Sequence, residues 1–143
     1  MPITLIVETD PPGCPVQFSG PTSDLAYFIS FAYATRFGAD HELAAAALIL
    51  QLRHKVELRA LITFADSEPD DEISRQEFEH AWQPAERLAT TAQAAADAFA
   101  SDERFQNVLS AYPHLAPRIA ELAQIAGWTA EQDGKVRMTF KIE

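Results

Sequence analysis

The chain has 143 residues and a mass of 15.8 kDa, which predicts a single domain over residues 1–143. Alanine accounts for 25 residues, and 43 larger apolar side chains remain to build a core, which excludes a chain disordered throughout. The formal net charge of −10 repels nucleic-acid phosphates and anionic lipid, so we expect no nucleic-acid partner and no membrane partner.

The start of the chain predicts two strands. Ile3, Leu5 and Val7 alternate with Thr4 and Glu8, which is typical of a half-buried strand. A proline-rich turn follows, and Val16 and Phe18 are expected to form a short returning strand.

A helical hairpin with a tight turn is predicted next. The first helix runs to Phe37 and ends at Gly38, and Asp40 is expected to cap a second helix that begins near His41. The first helix is apolar around almost its whole circumference, which indicates either a central buried helix or packing against another subunit. We therefore expect a homo-oligomer, in particular a homodimer. The predicted interface residues are Tyr27, Phe28 and Phe31.

Residues 57–64 predict a further strand. Every second side chain is apolar, although Leu61 falls on the opposite face. The apolar face consists of Leu58, Ala60, Ile62 and Phe64.

Helices are predicted over residues 78–99, 105–112 and 117–126, because apolar residues recur there at helical spacing. Pro84 is expected to kink or restart the first of them. In the third, Pro117 marks the predicted start and Gly127 the position just past the predicted end.

The C-terminal residues predict a hairpin. Residues 136–142 alternate between apolar and polar side chains, and residues 128–131 are the predicted partner strand. A three-residue loop, residues 132–134, is expected to join them, with Gly134 in the left-handed conformation. The whole pattern predicts an α+β fold with an antiparallel sheet of about four to five strands: the N-terminal strands, residues 57–64 and the C-terminal hairpin. About five helices are expected to pack mainly on one face of this sheet.

The main charge anomaly lies between Asp66 and Glu79, where seven acids stand against Arg75 alone and give a net charge of −6. Residues 66–77 resemble an EF-hand calcium loop, because oxygen ligands fall at loop positions 1, 3, 5 and 12. The metal ligands that this resemblance implies are Asp66, Glu68, Asp70 and Glu77.

The resemblance has departures and an alternative. Asp71 occupies the position where the EF-hand has glycine, and Pro69 lies inside the loop. Acidic residues are also favoured in the first turn of a helix, where they meet the positive end of the helix dipole. Residues 57–64 discriminate between the two interpretations, because an EF-hand requires a helix there. We expect no cofactor, with calcium as the alternative.

No nucleophile elbow, phosphate loop or dinucleotide fingerprint occurs in the sequence. The predicted function is a small acidic, non-catalytic binding or regulatory module whose acidic surface engages a basic protein partner. The candidate partner-binding residues are Asp66, Glu68, Asp70, Asp71 and Glu72. Two alternatives stay open: a degenerate EF-hand-like calcium binder at residues 66–77, and a small enzyme with no recognisable motif.

The sequence also bears on location. The N-terminal residues lack the basic region of a signal peptide, and no uncharged stretch is long enough to span a bilayer. Cys14 is the one cysteine and cannot form an internal disulfide. We therefore expect a soluble cytoplasmic protein.

Overall fold

The computed structural model describes residues 3–38 and 40–142. Within them the chain forms six α-helices and four β-strands, so the predicted α+β class is confirmed. In chain order the elements are β1 (Ile3–Asp10), α1 (Ser23–Ala34), α2 (Glu42–Arg53), β2 (Phe64–Asp66), α3 (Glu72–His80), β3 (Gln83–Pro84), α4 (Ala85–Ser101), α5 (Gln106–Ala111), α6 (Leu115–Glu131) and β4 (Lys135–Ile142). Short 3-10 helices occupy Thr35–Phe37 and Glu103–Phe105.

The last strand, β4, is the centre of the sheet. It pairs antiparallel with β1 along its whole length, from Ile142 opposite Ile3 to Lys135 opposite Asp10. On its other side it pairs antiparallel with β3 and parallel with β2. The sheet is therefore mixed, and the prediction of a purely antiparallel sheet is wrong. Pairing between strands far apart in sequence leaves no local signal, which explains the error.

The hydrophobic core lies on one face of this sheet. Leu5 of β1 and Val136 and Met138 of β4 are buried there together with apolar residues of α1, α4 and α6. The helices α4 and α6 form the most extensive helix–helix contact, and small side chains let two helices approach closely. Their buried alanines are Ala85, Ala92, Ala95 and Ala98 in α4 and Ala123 and Ala126 in α6.

Residues 11–22 return past β1 without forming the predicted strand at Val16 and Phe18. Prolines at four positions of this segment have no N–H to donate to a strand ladder. The side chain of Thr22 serves the edge of β1 instead: its Oγ1 accepts a hydrogen bond from Leu5 N (2.9 Å) and donates one to Leu5 O (3.4 Å). This contact occupies part of the edge that β1 would otherwise leave unpaired.

The helical hairpin is formed as predicted, with one difference in its cap. Gly38 ends the segment in the left-handed conformation, with φ of 76°. The N-cap of α2 is His41 rather than Asp40, and His41 Nδ1 accepts a hydrogen bond from Leu43 N (3.1 Å). The helix therefore begins one residue later than an aspartate cap at position 40 requires.

Residues 57–64 do not form the predicted strand. The segment is a compact turn in which Leu58 O accepts a hydrogen bond from Ile62 N (3.1 Å), and strand structure begins only at Phe64. Leu61 is fully buried, as is nearly all of Ala60, so burial does not follow a two-residue period. In the sequence, the apolar Leu61 on the polar face of the predicted strand is the feature that indicates this turn.

Residues 128–131 are also helical rather than extended, so the predicted C-terminal hairpin is wrong. The helix α6 continues through Gly127 to Glu131, and the buried Thr129 donates from Oγ1 to Ile125 O (2.8 Å). Asp133 takes the left-handed conformation (φ 57°), whereas the sequence pattern predicts this conformation for Gly134. The strand at the C-terminus is confirmed, but it pairs with distant segments.

Candidate functional site

The acidic segment, residues 66–79, lies on the surface. Its seven carboxylates belong to exposed residues, and the helix α3 inside it buries none of its residues. Asp71 is the N-cap of α3, and its Oδ1 accepts a hydrogen bond from Ser74 N (2.6 Å). This bond lowers the pKa of Asp71 below its ordinary value. The interpretation of the acids as a helix start is therefore confirmed for Asp71.

Three of the other six acids have a partner among the described residues. Glu72 lies 3.7 Å from Arg75, and Glu68 lies 3.8 Å from Lys141. Asp66 Oδ1 accepts a hydrogen bond from the backbone N of Glu68 (2.9 Å). Exposed pairs of this length contribute little to stability, so these carboxylates stay available to a partner. The acids of the segment without a hydrogen bond or ion pair to any described residue are Asp70, Glu77 and Glu79.

A buried arginine fixes α3 to the sheet. Arg137 of β4 points away from the core face, because side chains alternate along a strand. Its guanidinium carbon lies 3.7 Å from the centroid of the Phe78 ring and 4.6 Å from that of Trp82. The same group donates to both carboxylate oxygens of Glu8, at 3.2 and 2.8 Å, and to Phe78 O at 3.3 Å. The exposed helix is thus attached to the second face of the sheet.

The acidic segment does not have the arrangement of an EF-hand. The residues before it form a turn and β2, whereas an EF-hand requires an entering helix there. In residues 3–38 and 40–142, no group of three or more His, Cys, Asp or Glu side chains is placed to hold a metal ion. The helix–loop–helix that the resemblance implies at Asp66, Glu68, Asp70 and Glu77 is therefore wrong.

The predicted interface residues of α1 lie largely inside the protomer. Phe28 is fully buried and meets Phe99 edge to face at 5.7 Å, so it offers no surface to a second subunit. Phe31 is half-buried and stacks on His41 at 3.9 Å, and Tyr27 is half-buried. Phe28 is thus a wrong choice, while the homo-oligomer itself stays a prediction.

The exposed aromatic side chains lie at the other end of this helix. Tyr33 contacts Phe37 (5.8 Å between centroids) and Phe64 (5.7 Å), and Phe64 stacks on Phe140 at 4.5 Å. Ile142 follows on the same strand. We call Phe37, Tyr33, Phe64, Phe140 and Ile142 the apolar row. Sequence reasoning missed it, because four separate elements contribute its members.

Two depressions flank Phe64 and border the acidic segment. One, of about 430 Å³, is lined by Tyr33, Ile62, Thr63, Phe64, Glu77, His80 and Ala81. The other, of about 230 Å³, is lined by Ile3, Phe64, Ala65, Asp66, Glu77, Phe140 and Ile142. Since Phe64 and Glu77 line both, the apolar row and the acidic segment form one continuous surface.

A larger open cleft, of about 740 Å³, lies between the turn at residues 57–63 and the start of α4. Arg59 and Arg87 line it, but so do Glu57 and Glu86. The lining charges cancel, so the cleft selects no sign of ligand charge.

A histidine–aspartate pair lies at the end of α4. His54 Nε2 and Asp102 Oδ2 are 2.7 Å apart, and Arg104 binds the same carboxylate through Nε and Nη2. The hydrogen bond from the Arg104 side chain, followed by those from its backbone N and from His54, holds the pKa of Asp102 far below its ordinary value. Asp102 is the N-cap of the 3-10 helix Glu103–Phe105. The described hydrogen-bond partners of His54 and Asp102 include no nucleophilic side chain.

Comparison with protein-family models, curated proteins and solved structures finds no match for this chain. None of the described helices has the length and apolar character needed to cross a bilayer. Any function must therefore be argued from the surfaces described above.

Proposed function

We propose that this protein is a non-catalytic binding or regulatory module of the cytoplasm, and that the acidic segment engages a basic protein partner. The observation that carries the proposal is the state of the acidic segment. Its helix α3 has no buried residue, and three of its carboxylates, Asp70 before the helix and Glu77 and Glu79 within it, lack partners among the described residues. A helix of this kind contributes little to the core. Its charge is better explained by contact with another molecule.

The position of α3 supports this role. The contacts of Arg137 with Phe78 and Trp82 hold the helix in place while its carboxylates face solvent. Ile73, which is 70% exposed, adds an apolar side chain among the acids. Protein-binding surfaces combine apolar side chains with a polar, solvent-accessible rim. Complementary charge increases the association rate and excludes acidic partners.

The test measures how an oligo-lysine peptide, used as the basic probe, binds to the purified protein by fluorescence anisotropy. In the acidic-segment variant, Asp70→Asn, Glu77→Gln and Glu79→Gln are combined. We expect binding to weaken about tenfold, because three exposed charge contacts of about 0.5 kcal/mol each are lost. The loss should shrink as salt is added.

A matched control variant separates the effect of charge in the acidic segment from the effect of net charge. In it Glu86→Gln, Glu103→Gln and Glu131→Gln remove three exposed acids outside the segment. Both triple variants have the same net charge, so binding controlled by the acidic segment should weaken only in the first. Equal weakening in both, or no binding of the peptide to the wild-type protein, would show that the acidic segment is not a partner site.

A further inference from the structure

We propose that the apolar row is the second half of this partner site, and that its occupant is a basic amphipathic segment of another protein. This inference rests on the proposed function and specifies the chemistry of the partner. Lysine or arginine side chains would contact Asp66 and Glu77, while apolar side chains on the opposite face would cover Phe64 and Phe37.

Three of the five side chains of the apolar row are exposed, and Phe64 and Phe140 are half-buried. Phe37 is 71% exposed, Ile142 67% and Tyr33 39%. Ring contacts join Tyr33 to Phe37 and Phe64 and join Phe64 to Phe140. Ile142 lines one depression together with Phe64 and Phe140, so the row is one surface. A contiguous apolar surface with a polar border is typical of a protein-binding site. The apolar face of a helix laid into such a groove would bury it.

The charged residues beside the apolar row determine which partner fits it. Glu77 lines the depressions on both sides of Phe64, and Asp66 lines one of them. Of the nearby cations, Lys141 lies 3.8 Å from Glu68, and Arg36 lies over the Tyr33 ring at 4.8 Å, beside Phe37. The border next to Phe64 is therefore acidic, and this part of the surface favours a cationic partner.

A second copy of this chain fits the groove poorly. Its own apolar row is bordered by the same acidic segment, so a symmetric contact through this surface would bring two segments of net charge −6 together. At physiological ionic strength charges closer than about 8 Å still repel each other appreciably. A basic amphipathic segment meets both the apolar and the acidic part of the surface without this repulsion.

The test compares two labelled probe peptides. The first has lysine on one helical face and leucine on the other, and the second has serine in place of every leucine. We expect the leucine peptide to bind about tenfold more tightly than the serine peptide, because apolar anchors dominate the affinity of such interfaces. Phe37→Ser combined with Ile142→Ser should remove this advantage and leave the binding of the serine peptide unchanged.

Both substituted side chains are mostly exposed, so the variant should fold. The control is Leu52→Ser, which removes a 65% exposed apolar residue at the far end of the helical hairpin and should change nothing. Equal affinity of the wild-type protein for the two peptides would overturn the proposed role of the apolar row. The acidic segment would then remain the proposed partner site. Failure of both peptides would overturn the proposed function itself.

Light scattering tests whether a second copy of this chain occupies the apolar row. We expect the wild-type protein and the Phe37→Ser and Ile142→Ser variant to have the same mass in solution. A wild-type dimer that this variant converts to a monomer would identify a second copy as the occupant and overturn the proposal of a basic partner.

Discussion

The guanidinium carbon of Arg137 lies 3.7 Å above the centroid of the Phe78 ring, and this contact joins α3 to the sheet. Because α3 buries none of its own residues, its position depends on Arg137, which is 8% exposed, rather than on a hydrophobic stripe. The same guanidinium binds Glu8 through two hydrogen bonds. One arginine therefore connects the sheet, its edge strand and the acidic surface.

Arg137→Ala should destabilise the protein by about 2–3 kcal/mol, because it removes a two-bond ion pair and a cation–π contact from a mostly buried position. For a chain of this length the melting temperature should fall by roughly 5–10 °C. Arg137→Lys should recover only part of the loss, since an ammonium group cannot form the planar two-bond contact with Glu8. Thermal and urea unfolding measure both effects.

Arg87→Ala is the matched control, because Arg87 is exposed and has no hydrogen bond or ion pair to a described residue. It should change stability by less than about 0.5 kcal/mol. Equal losses in Arg137→Ala and Arg87→Ala would show that the contact with Phe78 does not hold α3.

Two glycines near the C-terminus should respond in opposite directions to alanine. Gly127 lies inside α6, and a Cβ added there meets no atom within 4 Å, so Gly127→Ala should stabilise the protein by about 0.5–1 kcal/mol. At Gly134 an added Cβ would collide with the carbonyl oxygen of Asp10 and lie 2.9 Å from Thr129 Cγ2. Gly134→Ala should therefore destabilise by about 2 kcal/mol or more. Urea unfolding of both variants provides the comparison.

The pair also tests the end of α6. If Gly127 ended the helix in a left-handed conformation, as the sequence pattern predicts, alanine would be strained there and would destabilise the protein. A loss of stability in Gly127→Ala would thus support the hairpin over residues 128–131 and contradict a helix that continues to Glu131.

Local patterns in the sequence predict the elements whose signals are local. The alternation over residues 136–142 predicts β4, and the left-handed Gly38 is correctly placed at the end of the first hairpin helix. The errors arise where tertiary contacts decide the conformation. The turn at residues 57–63 is stabilised partly by Gln83, whose Nε2 donates to Ala60 O at 2.9 Å from a distant part of the chain.

The candidate site likewise has a part that local sequence patterns predict and a part that tertiary contacts decide. The acidic segment and the cap at Asp71 follow from composition and helix chemistry, so both are predictable. The apolar row requires the packing of α1 beside β2 and the parallel pairing of β2 with β4. Phe28 and Tyr33 are both aromatic residues of one helix, and only the tertiary fold makes the first buried and the second exposed.

Asp102→Asn should change how stability depends on pH. The pKa of Asp102 in the folded protein is lowered, chiefly by the Arg104 side chain, so this carboxylate stabilises the protein above its ordinary pKa of 3.8. Below that pH the unfolded chain binds the proton first, and the contribution is lost as pH falls toward the folded pKa. The stability difference between wild type and Asp102→Asn should thus be largest near neutral pH and shrink in acid.

Urea unfolding at several pH values between about 7 and about 3 measures this difference. Asp71 also has a lowered pKa, caused first by its hydrogen bond from Ser74 N, but it is present in both proteins and cancels. The control is Glu103→Gln, which removes a neighbouring exposed acid. A difference from wild type that stays constant with pH would contradict the role given to the contact between Asp102 and Arg104.

Calcium should not stabilise the protein through the acidic segment. A specific site occupied at about 100 times its dissociation constant adds about 2.7 kcal/mol, or roughly 5–10 °C in melting temperature at this length. Because β2 stands where an EF-hand needs a helix, we expect melting curves in EDTA and in millimolar calcium to coincide, for the wild type and for Glu77→Gln alike. A rise of that size in the wild type that Glu77→Gln abolishes would instead establish calcium binding at residues 66–77. Magnesium at equal ionic strength is the control, since it separates a specific calcium site from general screening of the acidic surface.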